Sequence, residues 1–273
     1  MQDKLIGMYD SGVGGLSVLK AVSEARPDYD IIYLGDTFRV PYGDRPREEI
    51  IEFSRQIIGF MIDKGVSLVV VACNTSSAMA IPVVREEFNV PIIEMIGMGS
   101  KAAVRATRNK KIGVIATNNT IKSGAYEENI KALMPDAEVY VKGCPRLVPF
   151  VESGEVSGDR VRGALSEYLS DMKEAGIDTL VYGCTHYPFL EEEIVNVMGK
   201  DVVLVDPAIE VASFAKEILG GCDDGKKGTA KFLVTGQEDV FKDFIYKNES
   251  EYGLIDVSCI EHLDISALTK GRE

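Results

Sequence analysis

The sequence predicts an α/β protein made of two pseudo-symmetric halves, each built on a mainly parallel sheet. Three observations carry that prediction. Apolar, strand-like runs alternate with helix-like stretches over most of the 273 residues, the pattern of a sheet covered by helices. One stretch recurs: KGVSLVVVACNT (64–75) lies over AGIDTLVYGCTH (175–186) without a gap, pairing Gly65 with Gly176 and Cys73 with Cys184. A second pair, LIGMYDSGVG (5–14) and KIGVIATNNT (111–120), follows the same order at nearly the same spacing. One such match would be coincidence between strands. Two in the same order and at nearly the same offset point to duplication.

The elements follow in order. Residues 4–9 read as a first strand and 30–34 as a second, with a Gly-rich turn and a helix between them. Over 46–64, Ile50, Phe53, Ile57 and Phe60/Met61 recur at three- and four-residue steps, as an amphipathic helix requires. Gly65 stands where a helix C-cap glycine belongs. SLVVVA (67–72) is continuously apolar, which suits a central parallel strand covered on both faces. Further strands are expected near 111–116, 137–141, 178–182, 202–206 and 230–235. The small-residue stretch Gly97-Met98-Gly99-Ser100 is read as the boundary between halves. A return crossing is placed after Asp206-Pro207, so the expected division is 1–97 plus 208–273 against 98–207.

Composition narrows the function. A formal charge of −13 argues against a nucleic-acid or anionic-membrane surface, both of which need basic patches. No apolar run approaches the roughly 18 residues of a membrane span, and the first residues lack the basic and apolar regions of a signal peptide. A cytoplasmic location is expected. Five cysteines, an odd number without an export signal, are read as reduced thiols rather than a disulfide framework.

The chemistry concentrates at the repeated cysteines. Each ends an apolar strand and precedes polar residues: Cys73-Asn74-Thr75-Ser76 and Cys184-Thr185-His186. Ligands of open α/β sheets bind beyond the carboxyl ends of the strands, and a helix N-terminus there lowers a thiol's pKa. Two equivalent thiols on related halves suit one reaction directly: inversion of a carbon centre, with a proton leaving one face and another arriving on the opposite face. Such acid–base work favours pKa values near the working pH. A Cys184/His186 nucleophile pair is an alternative, but it leaves Cys73 without a task. Only two histidines are present, and too few ligands lie near Cys184 for a zinc site. Asp10-Ser11-Gly12-Val13-Gly14-Gly15 departs from the dinucleotide fingerprint, since Ser17 occupies the third glycine position. It reads as a tight turn or as a nest of N–H groups for a carboxylate. Gly35-Asp36-Thr37 and Pro41-Tyr42-Gly43 read as a loop lining the site, and His262 as a surface residue.

The motifs IGMYDSGVGG (6–15), YLGDTFRVPYG (33–43), ACNTSSA (72–78), IGVIATNNTIKSGAY (112–126), CPRLVPFVESG (144–154) and YGCTHYPFL (182–190) together resemble the glutamate racemases of the aspartate/glutamate racemase superfamily. The resemblance implies two three-layer α/β domains with an interdomain active-site cleft, no cofactor and no metal. It makes Cys73 and Cys184 the acid/base thiols, assisted by Asp10, His186 and Glu152. Asp10, Ser11, Tyr42, Gly43, Asn74, Thr75, Thr120, Thr185 and His186 would contact the substrate, glutamate. A homodimer and a cell-wall-precursor activator are further implications, as is D-glutamate supply for peptidoglycan. An aspartate racemase, a thiol–disulfide oxidoreductase and a solute-binding protein stay open as alternatives.

Overall fold

The computed structural model describes residues 4–220, 225, 227–247 and 259–269. Two parallel sheets organise them. The first contains β1 (Leu5–Asp10), β2 (Asp30–Gly35), β3 (Leu68–Val71) and β4 (Ile92–Glu94). The second contains β5 (Lys111–Ala116), β6 (Glu138–Gly143), β7 (Thr179–Gly183) and β8 (Val203–Val205). Their orders, β2-β1-β3-β4 and β6-β5-β7-β8, are the same path drawn twice. The first sheet is extended at the β2 edge by β9 (Ala230–Val234) and β10 (Ile260–His262).

Helices fill the connections. They are α1 (Leu16–Ala25), α2 (Arg47–Asp63), α3 (Asn74–Met79), α4 (Ile81–Val84), α5 (Met95–Ala106), α6 (Asn118–Lys122) and α7 (Ala125–Leu133). Then follow α8 (Leu147–Glu152), α9 (Asp159–Ala175), α10 (Glu191–Met198), α11 (Pro207–Leu219), α12 (Glu238–Lys247) and α13 (Ser266–Thr269). The α2 helix matches its apolar periodicity. Ile50, Ile57, Ile58 and Met61 are buried, and Gly65 takes the left-handed conformation (φ 82°) just beyond the helix end. All four residues of β3 are fully buried, as expected of a strand with neighbours on both edges and helices on both faces.

Two findings depart from the sequence reading. Short strands β4 and β10 were not anticipated. Gly97–Ser100, read as a boundary stretch, lies inside α5. A Cβ at Gly99 would stand 2.9 Å from Pro207 Cγ and 3.0 Å from the Tyr126 hydroxyl, so the glycine serves close packing rather than a loop. The chain leaves the first sheet through β4 and α5. It returns from β8 through α11 to β9, and α11 packs on both α1 and α5. The carboxyl ends of β1, β3, β5 and β7 consequently converge where the halves meet.

Candidate active site

A cavity of about 350 Å³ opens at these strand ends. Ser11, Tyr42, Gly43, Asp44 and Cys73–Thr75 line one side, with Val40 and Pro41. Thr117, Asn118, Pro145, Val148, Pro149, Glu152 and Cys184–His186 line the other. Both repeated cysteines therefore face one space. Among the described residues, no lysine or arginine lines it. The four cysteines among the described residues are free thiols, and those residues hold no cluster of three or more metal-type ligands.

Cys73 follows β3 and caps α3, accepting a hydrogen bond from Ser76 N at 3.5 Å. Its thiol also reaches Ser11 Oγ at 3.8 Å. The expected lowering by the helix start does not prevail. Burial, and after it the negative charge of Asp10, pushes the Cys73 thiol up to about 11, against the opposing bonds from Ser76 and Ser11. With a helix of only six residues, desolvation is the larger effect.

Asp10 ends β1 and is 1% exposed. Its carboxylate accepts the Gly12 N–H at 2.9 Å and faces the Thr185 hydroxyl at 3.4 Å. It lies behind the cavity wall rather than in it. The amides of the Gly-rich turn thus hold the protein's own carboxylate, not an external one. Burial raises Asp10 above the usual carboxylate range, although His186 and the Gly12 and Gly15 amides pull it down. The same turn meets the second half closely: a Cβ on Gly14 would fall 2.4 Å from Thr185 Oγ1 and 2.6 Å from His186 Nδ1. Only glycine fits there.

Cys184 is placed differently from Cys73. It follows β7 directly but leads into a turn, and the 3₁₀ turn Tyr187–Leu190 begins three residues on. Its partner is a side chain, His186 Nδ1 at 3.7 Å. The other ring nitrogen, Nε2, lies 2.7 Å from Glu152 Oε1. Burial alone would lower the imidazole's pKa, but the Cys184 sulfur and the Glu152 carboxylate hold it well above its ordinary value. Glu152 ends α8 with its side chain 33% exposed, so this ion pair reaches from a buried ring to the cavity's open side.

The remaining expected residues fall into two groups. Ser11, Gly43, Asn74, Thr75, Thr185 and His186 line the cavity. Tyr42 lines it too, but its hydroxyl donates to Asp36 and turns away. Thr120 stands behind the wall, with its hydroxyl 3.0 Å from that of Thr117 and 3.4 Å from that of Thr75. Asn74, a lining residue, carries a buried amide nitrogen without a hydrogen-bond partner among the described residues.

Comparison with known proteins agrees with this architecture. The family model for Asp/Glu/hydantoin racemase matches residues 15–215. The chain belongs to that racemase family.

A glutamate racemase of Caldanaerobacter subterraneus is 44% identical over 245 residues, spanning 89% of this chain and 92% of that protein. A glutamate racemase isoform of Bacillus anthracis superposes with a TM-score of 0.91 at 33% identity, covering 97% and 99% of the two chains. The Escherichia coli glutamate racemase, solved with L-glutamate and the activator UDP-MurNAc-ala, gives 0.80 at 27% identity, covering 96% and 98%. As a racemase-family member the chain is an isomerase. Its sequence alone did not single out Thr117, Asn118, Asp44, Val148 or Pro149, which also line the cavity. For Thr117 a signal existed: it follows β5 as Cys184 follows β7, in the second repeat pair.

Proposed function

We propose that this chain racemises glutamate by a two-thiol exchange of the Cα proton. The observation that carries the reading is that Cys73 and Cys184, at equivalent strand ends of two like-ordered sheets, line one cavity. In each direction one sulfur, as thiolate, takes the Cα proton and leaves a planar carbanion. The other, as thiol, delivers its proton to the opposite face and becomes the thiolate. Each thiol is base in one direction and acid in the other, so the protonation pattern is inverted after every turnover. Asp10 assists Cys73 from behind, while His186, oriented by Glu152, assists Cys184. The route calls on no cofactor, and among the described residues no lysine lines the cavity to carry pyridoxal as an imine.

Substrate recognition follows from donors rather than cations. The Asn74 amide and the hydroxyls of Ser11, Thr75 and Thr185 suit the two carboxylates. Asp44 and Glu152 supply the negative charge that an ammonium group requires. In this reading the substrate sits between a first unit, 1–97 with 208–273, and a second, 98–207. The product supplies D-glutamate for peptidoglycan. A cytoplasmic homodimer responsive to a cell-wall precursor accompanies the reading. An activator complex of the Escherichia coli relative motivates the last part. Among the described residues no helix is long and apolar enough to cross a membrane.

The test uses Cys73→Ala and Cys184→Ala, with L- and D-glutamate and, in parallel, aspartate, in deuterium oxide. Each variant should lose racemisation of glutamate. In the retained Cα exchange, Cys73 should act on D-glutamate and Cys184 on L-glutamate. Full racemisation in either variant, or a preference for aspartate, overturns the reading.

A further inference from the structure

Tyr126 is assigned no part in the chemistry above, yet it touches both sides of the site. It lies on α7, near the start of the helix, and is 2% exposed. Its ring belongs to the apolar cluster that contains Ile96, Val114 and Val181. Two glycines make its seat: a Cβ would come 3.0 Å from the hydroxyl at Gly99 and 3.2 Å from the ring at Gly183, the residue before Cys184. From this fixed seat the hydroxyl donates 2.7 Å to Oδ1 of Asn74, the residue after Cys73.

An asparagine amide has two faces of opposite character, and a half-turn exchanges acceptor for donors. Something must choose between them. A buried Tyr hydroxyl needs an acceptor, and Asn74 Oδ1 is the one the structure gives it. Burial also drives the Tyr126 pKa well above the ordinary phenol value, so the proton stays on the oxygen. Were the amide reversed, the hydroxyl would lose its acceptor and Oδ1 would face an anionic substrate. With the observed orientation, Nδ2 is the group of this cavity-lining residue that has no partner among the described residues.

We propose that Tyr126 is a positioning residue that locks the Asn74 amide with its N–H groups toward the substrate's carboxylate. This rests on the reading of the cavity as a site for an anionic amino acid. Tyr126 makes no contact with the reacting carbon, so its effect belongs to binding and is shared by both enantiomers.

The experiment measures steady-state racemisation of L- and D-glutamate by the wild-type chain, Tyr126→Phe, Asn74→Ala and the double variant, with thermal melts confirming that each is folded. Tyr126→Phe should raise KM about tenfold for both enantiomers, the size of one misplaced hydrogen bond, and change kcat far less. In the Asn74→Ala background the same substitution should leave KM where it is. An unchanged KM, a loss confined to kcat, or a full penalty persisting without Asn74 overturns the proposal. Neutron density for the wild-type protein gives a readout free of substitution: amide deuterons on the cavity side support it, and an oxygen there overturns it. A wild-type chain that fails to racemise glutamate would instead overturn the functional reading beneath it.

Discussion

Behind Cys73 stands the carboxylate of Asp10, whereas Cys184 touches the imidazole of His186. A negative neighbour helps hold the proton on the Cys73 sulfur. The paired thiols are thus alike in position and unlike in surroundings. Alkylation of Cys73 by iodoacetamide, followed by mass spectrometry of the modified peptide, should rise with pH on a titration near 11 in the ligand-free protein. Asp10→Asn removes the charge that raises it, so the titration should shift downward and the rate at neutral pH should increase. An unshifted profile would show that Asp10 does not act on this sulfur. The two cysteines were legible in the sequence because each follows an apolar run that occurs twice. The His186–Glu152 contact was not legible from spacing. It joins residues on different elements, and only the folding of α8 against the turn after β7 brings them together. Nor could spacing show that Asp10 takes up the amides of its own turn.

At the scale of elements, helix starts are where side chains decide local stability. Glu94 ends β4 and caps α5, accepting the N–H groups of Ile96 at 2.6 Å and Gly97 at 2.9 Å. Glu94→Ala leaves both amides without that partner and should cost about 1 kcal/mol, or a melting shift of about 2–4 °C for a chain near this size. Glu94→Gln, which keeps an acceptor, should lose less. Scanning calorimetry of the three proteins checks the order. The same helix explains a departure from the sequence reading. Gly97 and Gly99 disfavour a helix by local propensity, yet the approach of Pro207 and Tyr126 leaves no room for a larger residue at 99. Tertiary packing overrides propensity there. Strands β4 and β10 span three residues each, too few to set an alternation. Strand β8 is as short but was legible within the apolar run 202–205, and the 17 residues of α2 display several turns of theirs.

Across the whole molecule, contacts cluster at the junction of the halves. The Thr75 and Thr117 hydroxyls meet at 3.0 Å, and the Asn119 amide donates to the carbonyls of Tyr42 and Arg45. A tie of another kind, between the ends of α1 and α11 rather than between the halves, lies away from the cavity. Arg26 holds Asp28 with two bonds of 3.0 Å and donates to the Gly220 carbonyl just past α11. The Arg26 guanidinium, despite opposing desolvation, holds the Asp28 carboxyl far below its ordinary 3.8, with Lys4 assisting. Because the folded pKa is depressed, the stabilisation is complete above the unfolded value near 4 and fades as pH falls below it. Asp28→Asn should therefore cost about 3 kcal/mol at neutral pH and flatten the acid limb of stability below pH ~4. Urea unfolding at several pH values measures both. The repeated strand order, foreshadowed by the two sequence matches, has one exception: β9 and β10 join the first sheet from the far end of the chain. In order of synthesis, the second sheet is finished with β8, while the β2 edge still waits for a strand beginning at residue 230. At about 5–20 residues per second, a ribosome holds the molecule for seconds with its later half complete and its earlier half unfinished.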